Sequence, residues 1–277
     1  MVVLHCKKNN DQEFLYETTV DATVAATLKE VVAIHNIRLR IHRLKLEGEE
    51  LAEYGPMKKP NEANIDDYAQ EPINKSAFYK QDPTGRRTGN AADPAVAPVL
   101  KKTLDEAMAV ASKDQVAKKV YLTKKMLLDA VDNIRGAVMI CFPMGLPEWD
   151  NVRLALEDNE ALEGSPMGVD ILENENAQMW WAGKQMVIGN KLADHVGKNE
   201  KTKIVVKLTK KGAGAPQRES PIDATTQKEM MAFYYKKQEE QKKLEDNEDD
   251  DYHNSAWANP GGLKAHFAGT SGGIKFR

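Results

Sequence analysis

The chain has 277 residues, with 39 Lys and Arg against 42 Asp and Glu, a formal net charge of -3 and a hydrophobic share of 41%. That length suits one large domain or two modest ones joined by linkers, and the near-neutral balance excludes a global electrostatic pull toward nucleic acid or an anionic membrane. No apolar run approaches the roughly 20 residues that span a bilayer. Lys7 and Lys8 fall where a signal peptide needs its apolar core, so the expectation is a protein of the cell interior, neither secreted nor membrane-spanning.

In chain order, Val2–Leu4 and Phe14–Tyr16 read as two short strands around an Asn-Asn-Asp turn. Asp21 or Thr23 then caps a helix whose apolar residues Val24, Leu28, Val31, Val32 and Ile34 recur at three- and four-residue spacing. A strand, turn, strand and helix in that order suggest a ubiquitin-like β-grasp. Residues 37–54 fit either a strand, with Leu39 and Ile41 alternating with Arg38 and Arg40, or a helix through Ile37, Ile41, Leu44 and Leu51. Residues 55–98 are proline-punctuated, carry the basic loop Gly85-Arg86-Arg87-Thr88-Gly89, and read as a connector that orders only against something else.

Helical patterning dominates from Val99: Leu104, Met108 and Ala111, then Thr123 as cap before Leu127, Leu128, Val131 and Ile134. Ala137–Phe142 is a buried apolar run, and Pro147–Leu156 holds a short helix. Ser165-Pro166 predicts the start of a longer helix reaching Ile188. On it Val169, Leu172, Met179, Trp180, Met186 and Val187 form one apolar stripe, while Ala177, Trp181 and Ile188 form another on the opposite side. Lys203–Leu208 has strand character and is the candidate to extend the N-terminal hairpin. A last helix over 223–244 loses its apolar residues halfway, after Tyr235, and leads into an acidic run and a Gly-rich tail.

Catalytic motifs fail on context. Gly269-Thr270-Ser271-Gly272-Gly273 matches a nucleophile elbow, but the acid and histidine that should follow it cannot fit in four residues. A phosphate loop at Gly197-Lys198 lacks its Ser or Thr at Asn199, and Gly212-Ala213-Gly214 lacks a dinucleotide site's third glycine. Asp194-His195 has no nucleophile to serve. Cys6 and Cys141 read as buried thiols, and the six histidines show no metal-pair spacing. No catalytic, cofactor or metal site is expected. Two interaction signals remain: Trp181 with Ile188 on the second helical face, and a basic strip of Lys198, Lys201, Lys203, Lys207, Lys210 and Lys211 in a stretch (198–218) of seven cations and one acid. Nucleic-acid binding through that strip is the rival to protein binding, opposed by the acidic run and the neutral balance.

The segments Arg135-Gly136-Ala137-Val138-Met139-Ile140, Pro143-Met144-Gly145-Leu146-Pro147, Trp180-Trp181, Val196-Gly197-Lys198-Asn199-Glu200-Lys201-Thr202-Lys203-Ile204, Gly214-Ala215-Pro216 and Asn254-Ser255-Ala256-Trp257-Ala258 occur in an order and spacing that resembles the Kurly family of cilia- and flagella-associated proteins. The resemblance implies a non-enzymatic protein of motile cilia, needed for their motility, tied to axonemal dynein arm assembly and to cilium positioning. It implies dynein subunits or assembly factors as partners, in the cytoplasm, the axoneme or the basal body, and it carries over no site residues. The basic strip would then meet an acidic surface such as tubulin or a dynein-associated subunit.

The expected fold is α+β: a β-grasp-like N-terminal unit (1–54), the connector (55–98), a mainly helical core with one strand near 203–208 (99–222), and a helix, acidic run and tail (223–277).

Overall fold

The computed structural model describes residues 1–9, 12–59, 76–160, 162, 168–216 and 224–245. Residues 1–217 make one unit and 218–277 a second.

Strand β1 (Val2–Lys7) buries Val2, Leu4 and Cys6 and turns Val3, His5 and Lys7 the other way, the period-2 alternation of a sheet covered on one face. It pairs antiparallel with β2 (Glu13–Thr18). The Thr23 side chain accepts from the Ala26 N–H and starts helix α1, Val24–Tyr54, whose 31 residues extend roughly 45 Å. The open choice at 37–54 thus resolves as helix. Ile37, Ile41, Leu44 and Leu51 are buried at helical spacing, and Arg38, Arg40 and Arg43 are buried as well, so the alternation that mimicked a strand places cations inside rather than in solvent.

Two of those guanidiniums, Arg38 and Arg40, terminate other helices, and the third, Arg43, pairs with Glu160. Arg38 Nε donates to the Ala111 carbonyl at 2.8 Å and stacks over the Phe14 ring. Arg40 donates to the Ala155 carbonyl and, at 2.6 Å, to that of Leu156, which also accepts from Arg135 at 2.8 Å. Ala111 ends α2 (Ala97–Ala111), and Leu156 lies in the last turn of α5 (Asn151–Glu157), where carbonyls have no partner within the helix. Between them lie the single turn α3 (Asp114–Ala117) and α4 (Lys124–Cys141), which is capped by Thr123. The run 137–142 is therefore the end of a helix. Helices α2 and α4 pack on each other and on α1. Gly48 of α1 admits α2: a Cβ there would stand 2.8 Å from Leu104 Cδ1.

Described residues of the 55–98 stretch pack against α1 and α5. Arg87 is fully buried and donates to Glu47 at 2.7 Å and to the carbonyls of Gly55 (3.0 Å) and Glu47 (3.1 Å). Buried Asp150 accepts from the Met57 and Val152 N–H groups, both at 2.9 Å, tying the connector to the first turn of α5.

The predicted helix from 166 to 188 does not form. Ser165 and Pro166 lie outside the described residues, and Ala177–Trp181 is strand β3, joined to β4 (Lys184–Gln185) through Ala182 (φ 48°) and Gly183 (φ 78°). Positive φ at both central residues is the two-residue hairpin geometry whose twist matches that of its strands. After the short α6 (Leu192–Val196), β5 (Lys203–Lys210) inserts parallel to β1, with Val3 opposite Lys203 and Cys6 opposite Val206, as the strand reading of 203–208 anticipated. The sheet order is β2-β1-β5-β3-β4: a β-grasp-like arrangement within an α+β fold, with α2 to α5 carried between α1 and β3. The sheet therefore draws three strands from the stretch read as mainly helical, and no unit boundary falls at residue 54.

In the second unit, α7 (Ala224–Glu245) is the helix expected near 223–244. No helix among the described residues is long and apolar enough to cross a membrane.

Candidate protein-interaction surface

Helix α1 covers one face of the sheet and leaves the other outward. The register sets what that outer face carries. Lys7 stands opposite Lys207, which stands opposite Trp180, which stands opposite Gln185; His5 stands opposite Val205; Val3 stands opposite Lys203. Val205 is 46% exposed and Trp180 half-buried. The indole Nε1 of Trp180 and the Oγ1 of Thr209, its diagonal neighbour across β3 and β5, are both closed off from solvent without a hydrogen-bond partner. At the β2 side Glu13 takes up the positive groups, 3.0 Å from His5 Nε2 and 3.1 Å from Lys7 Nζ. Burial holds the His5 pKa below its ordinary value, although Glu13 opposes the shift.

This geometry corrects the assignment of the tryptophans. On a strand, neighbours point to opposite faces. Trp181 shares its side with Ala177 and Met179 and packs against the core, while Trp180 faces outward. The helical arithmetic had them the other way round. Ile188, in the turn after β4, is 53% exposed, as is its neighbour Val187 to a similar degree. The basic strip does not line an edge either, because both edges of β5 are taken by β1 and β3. Lys203 and Lys207 stand on the outer face. Lys198 and Lys201 lie in the loop before β5, and Lys210 and Lys211 at its far end, roughly 25 Å apart along an eight-residue strand. Val205 and Trp180 were missed as surface residues. The alternation Ala177, Met179, Trp181 against Gln178, Trp180, followed by a glycine turn, was the signal that could have found Trp180.

Two other regions present apolar side chains. At the C-terminal end of α4, where Cys141 Sγ donates to the Val96 carbonyl at 3.5 Å, Met139, Ile140 and Val99 are exposed and Met144 is 98% so. In the second unit Met230, Met231, Phe233, Tyr234 and Tyr235 of α7 are all exposed, and the Lys, Gln and Glu residues at 236–243 are solvated as the sequence indicated. A cavity of about 490 Å³ beside α1 includes Arg40, Arg43, Asp158 and Glu160 in its lining, but both guanidiniums are already committed, Arg40 to Asp158 at 3.4 Å and Arg43 to Glu160 at 2.5 Å.

Of the remaining titratable candidates, Asp194, Cys6 and Cys141 have structural partners, whereas the Nε2 of His195 is closed off from solvent without one. Asp194 accepts from the Lys191 N–H at 3.0 Å and so caps α6 rather than orienting His195. Cys6 and Cys141 are unbridged, and burial pushes both thiols up. Among the described residues no group of three or more His, Cys, Asp or Glu could hold a metal ion.

The family model for cilia- and flagella-associated protein 298 matches residues 177–272, beginning at β3. Curated relatives of that name run the length of the chain. The Rattus norvegicus protein is 45% identical over 100% of this chain and 99% of its own, the Homo sapiens protein 43% identical over the same shares, and the Drosophila melanogaster protein 36% identical, again over 100% and 99%. No solved structure matches the chain. With identity of this level sustained from end to end, the chain belongs to the cilia- and flagella-associated protein 298 family, and its function is a cilium-related one.

Proposed function

We propose that the protein is a non-enzymatic binding factor of motile cilia that serves the assembly of axonemal dynein arms, and that it engages dynein subunits or their assembly factors. It acts in the cytoplasm and at the axoneme, with tubulin and other axonemal proteins as further partners and a second contribution to cilium positioning. The observation that carries the reading is that the fold keeps large apolar side chains in solvent: Val205, Met139, Ile140 and Met144 on the first unit, and Met230, Met231, Phe233, Tyr234 and Tyr235 of α7 on the second. Apolar groups clustered on a surface mark sites of association, while the buried polar groups of the fold are spent on tying helices together.

Deleting the gene in a cell with motile cilia and quantifying dynein heavy chains on isolated axonemes tests this. Depleted arms with axonemes of normal length are expected. Motile axonemes with a full dynein complement would rule the reading out. Washing wild-type axonemes with salt then separates a resident component, which stays, from an assembly factor, which is recovered in the cytoplasmic fraction.

A further inference from the structure

We propose that the outward face of the sheet docks an acidic, extended segment of a partner protein, laid along β5 with an apolar side chain on Val205 and a carboxylate on Lys203. This rests on the reading of the protein as a binding factor and identifies the site and the chemistry of its ligand.

The edges of the sheet are poor places for a partner strand. Beyond β2 the chain forms a bridge from Leu15 to Tyr121, and the Leu122 N–H donates to the Leu15 carbonyl at 2.8 Å. At the other end β4 offers only two residues, Lys184 and Gln185. What remains is the face. Along β5 it reads Lys203, Val205, Lys207, a cation, an apolar residue and a cation at two-residue spacing. An extended peptide repeats its own side chains at the same interval, so an acid at i and an apolar residue at i+2 lie over Lys203 and Val205.

Charge selects the sign. Strands β5, β3 and β4 contribute no acidic residue to this face, and Lys198, Lys201, Lys210 and Lys211 extend the positive field beyond both ends of β5. The acids of the sheet lie on β2, where Glu13 is matched by His5 and Lys7 and exposed Glu17 stands opposite Val3, two strands from Lys203; Glu200, in the loop, is 3.6 Å from the N-terminal amine. The Trp180 indole N–H and the Thr209 hydroxyl add a second, independent indication. A polar group shut away from water without a partner costs about 1–3 kcal/mol, and both are neighbours on this face. A carboxylate or main-chain carbonyl of the docked segment supplies the missing acceptor with a small turn of the ring.

The test is fluorescence anisotropy of the full-length protein with a fluorescein-labelled peptide, Asp-Glu-Ser-Leu-Ser-Glu-Asp, at low and at physiological salt. Saturable binding that weakens with salt is expected. Lys203→Glu and Val205→Glu should each lower the affinity about tenfold, as central contacts of an interface do, with unchanged thermal melts. Lys242→Glu combined with Lys243→Glu, on α7, should leave it intact. Absence of binding, equal binding by the Lys203→Glu protein, tighter binding of oligothymidylate, or a dimer forming through this face in sedimentation would each overturn the proposal. Because Lys203 and Val205 are both exposed, loss of the fold in one variant leaves the other to decide. A failed peptide assay beside depleted dynein arms in the deletion strain removes this site alone; normal arms remove the broader reading.

Discussion

Arg87 shows how a residue that reads as a surface cation becomes structural. In sequence it belongs to a basic loop between two glycines, yet its side chain is enclosed between Glu47, the Gly55 carbonyl and the end of α1. Removing one partner of a buried charge pair leaves the other without compensation, at about 3–5 kcal/mol. Arg87→Ala should therefore lower the urea midpoint by an amount of that order, whereas a change at exposed Arg86, 3.5 Å from the same Glu47, should cost under about 1 kcal/mol. Equal, small effects would show that the clasp does not hold the connector. His35 carries a pH consequence. It is buried against Asp170, whose carbonyl its Nε2 meets at 3.1 Å, and burial pushes its pKa down to about 4. The unfolded chain takes up that proton near pH 6.5, so stability is fully present above this value and falls as pH drops from about 6.5 to about 4, on the order of 2–3 kcal/mol. His5 and His42 are shifted the same way, also chiefly by burial. Urea titrations at pH 7 and pH 4.5 should show the loss, with a shallower pH dependence in His35→Asn; an unchanged dependence in that variant would place the effect elsewhere.

At the scale of elements, what could be read from sequence was what had one dominant period. The N-terminal hairpin, the start of α1 at Thr23, α4 behind Thr123 and β5 all appear where alternation or three- and four-residue spacing called for them. One open choice and one error have physical causes. Residues 37–54 were ambiguous because Arg38 and Arg40 resemble the polar half of a strand; only the carbonyls of Ala111, Ala155 and Leu156, far away in sequence, explain why cations belong inside. The error at 166–188 arose because six apolar residues between Val169 and Val187 satisfy a helical stripe, and tertiary pairing with β5 decided the outcome. That correction reverses the expected behaviour of the tryptophans. Trp181→Ala, which vacates the side facing the core, should cost about 3 kcal/mol, and Trp180→Ala, on the outward face, clearly less. Thermal melts of the two variants check it; a larger loss at Trp180 would contradict the strand assignment.

For the whole molecule, the arrangement explains why the interaction surface was only partly legible. The lysines were recognised from charge alone, but their placement depends on β5 being central, a fact set by β1 and β3 some 200 and 30 residues away in the chain. Once β5 is inserted there, its lysines leave the edge and join Val205 and Trp180 on a face opposite α1. Helices α2, α4 and α5 pack on α1, while α3 meets the sheet at β2. Family membership makes this a cilium-related protein, and the proposed docking of an acidic partner on this face gives that role a site. The most direct measurement is a rescue. Cells lacking the gene are given the wild-type protein or the Lys203→Glu, Val205→Glu double variant at equal abundance, and ciliary beat and axonemal dynein content are recorded. The account predicts recovery with the wild type and little with the variant; full recovery with the folded variant would contradict it.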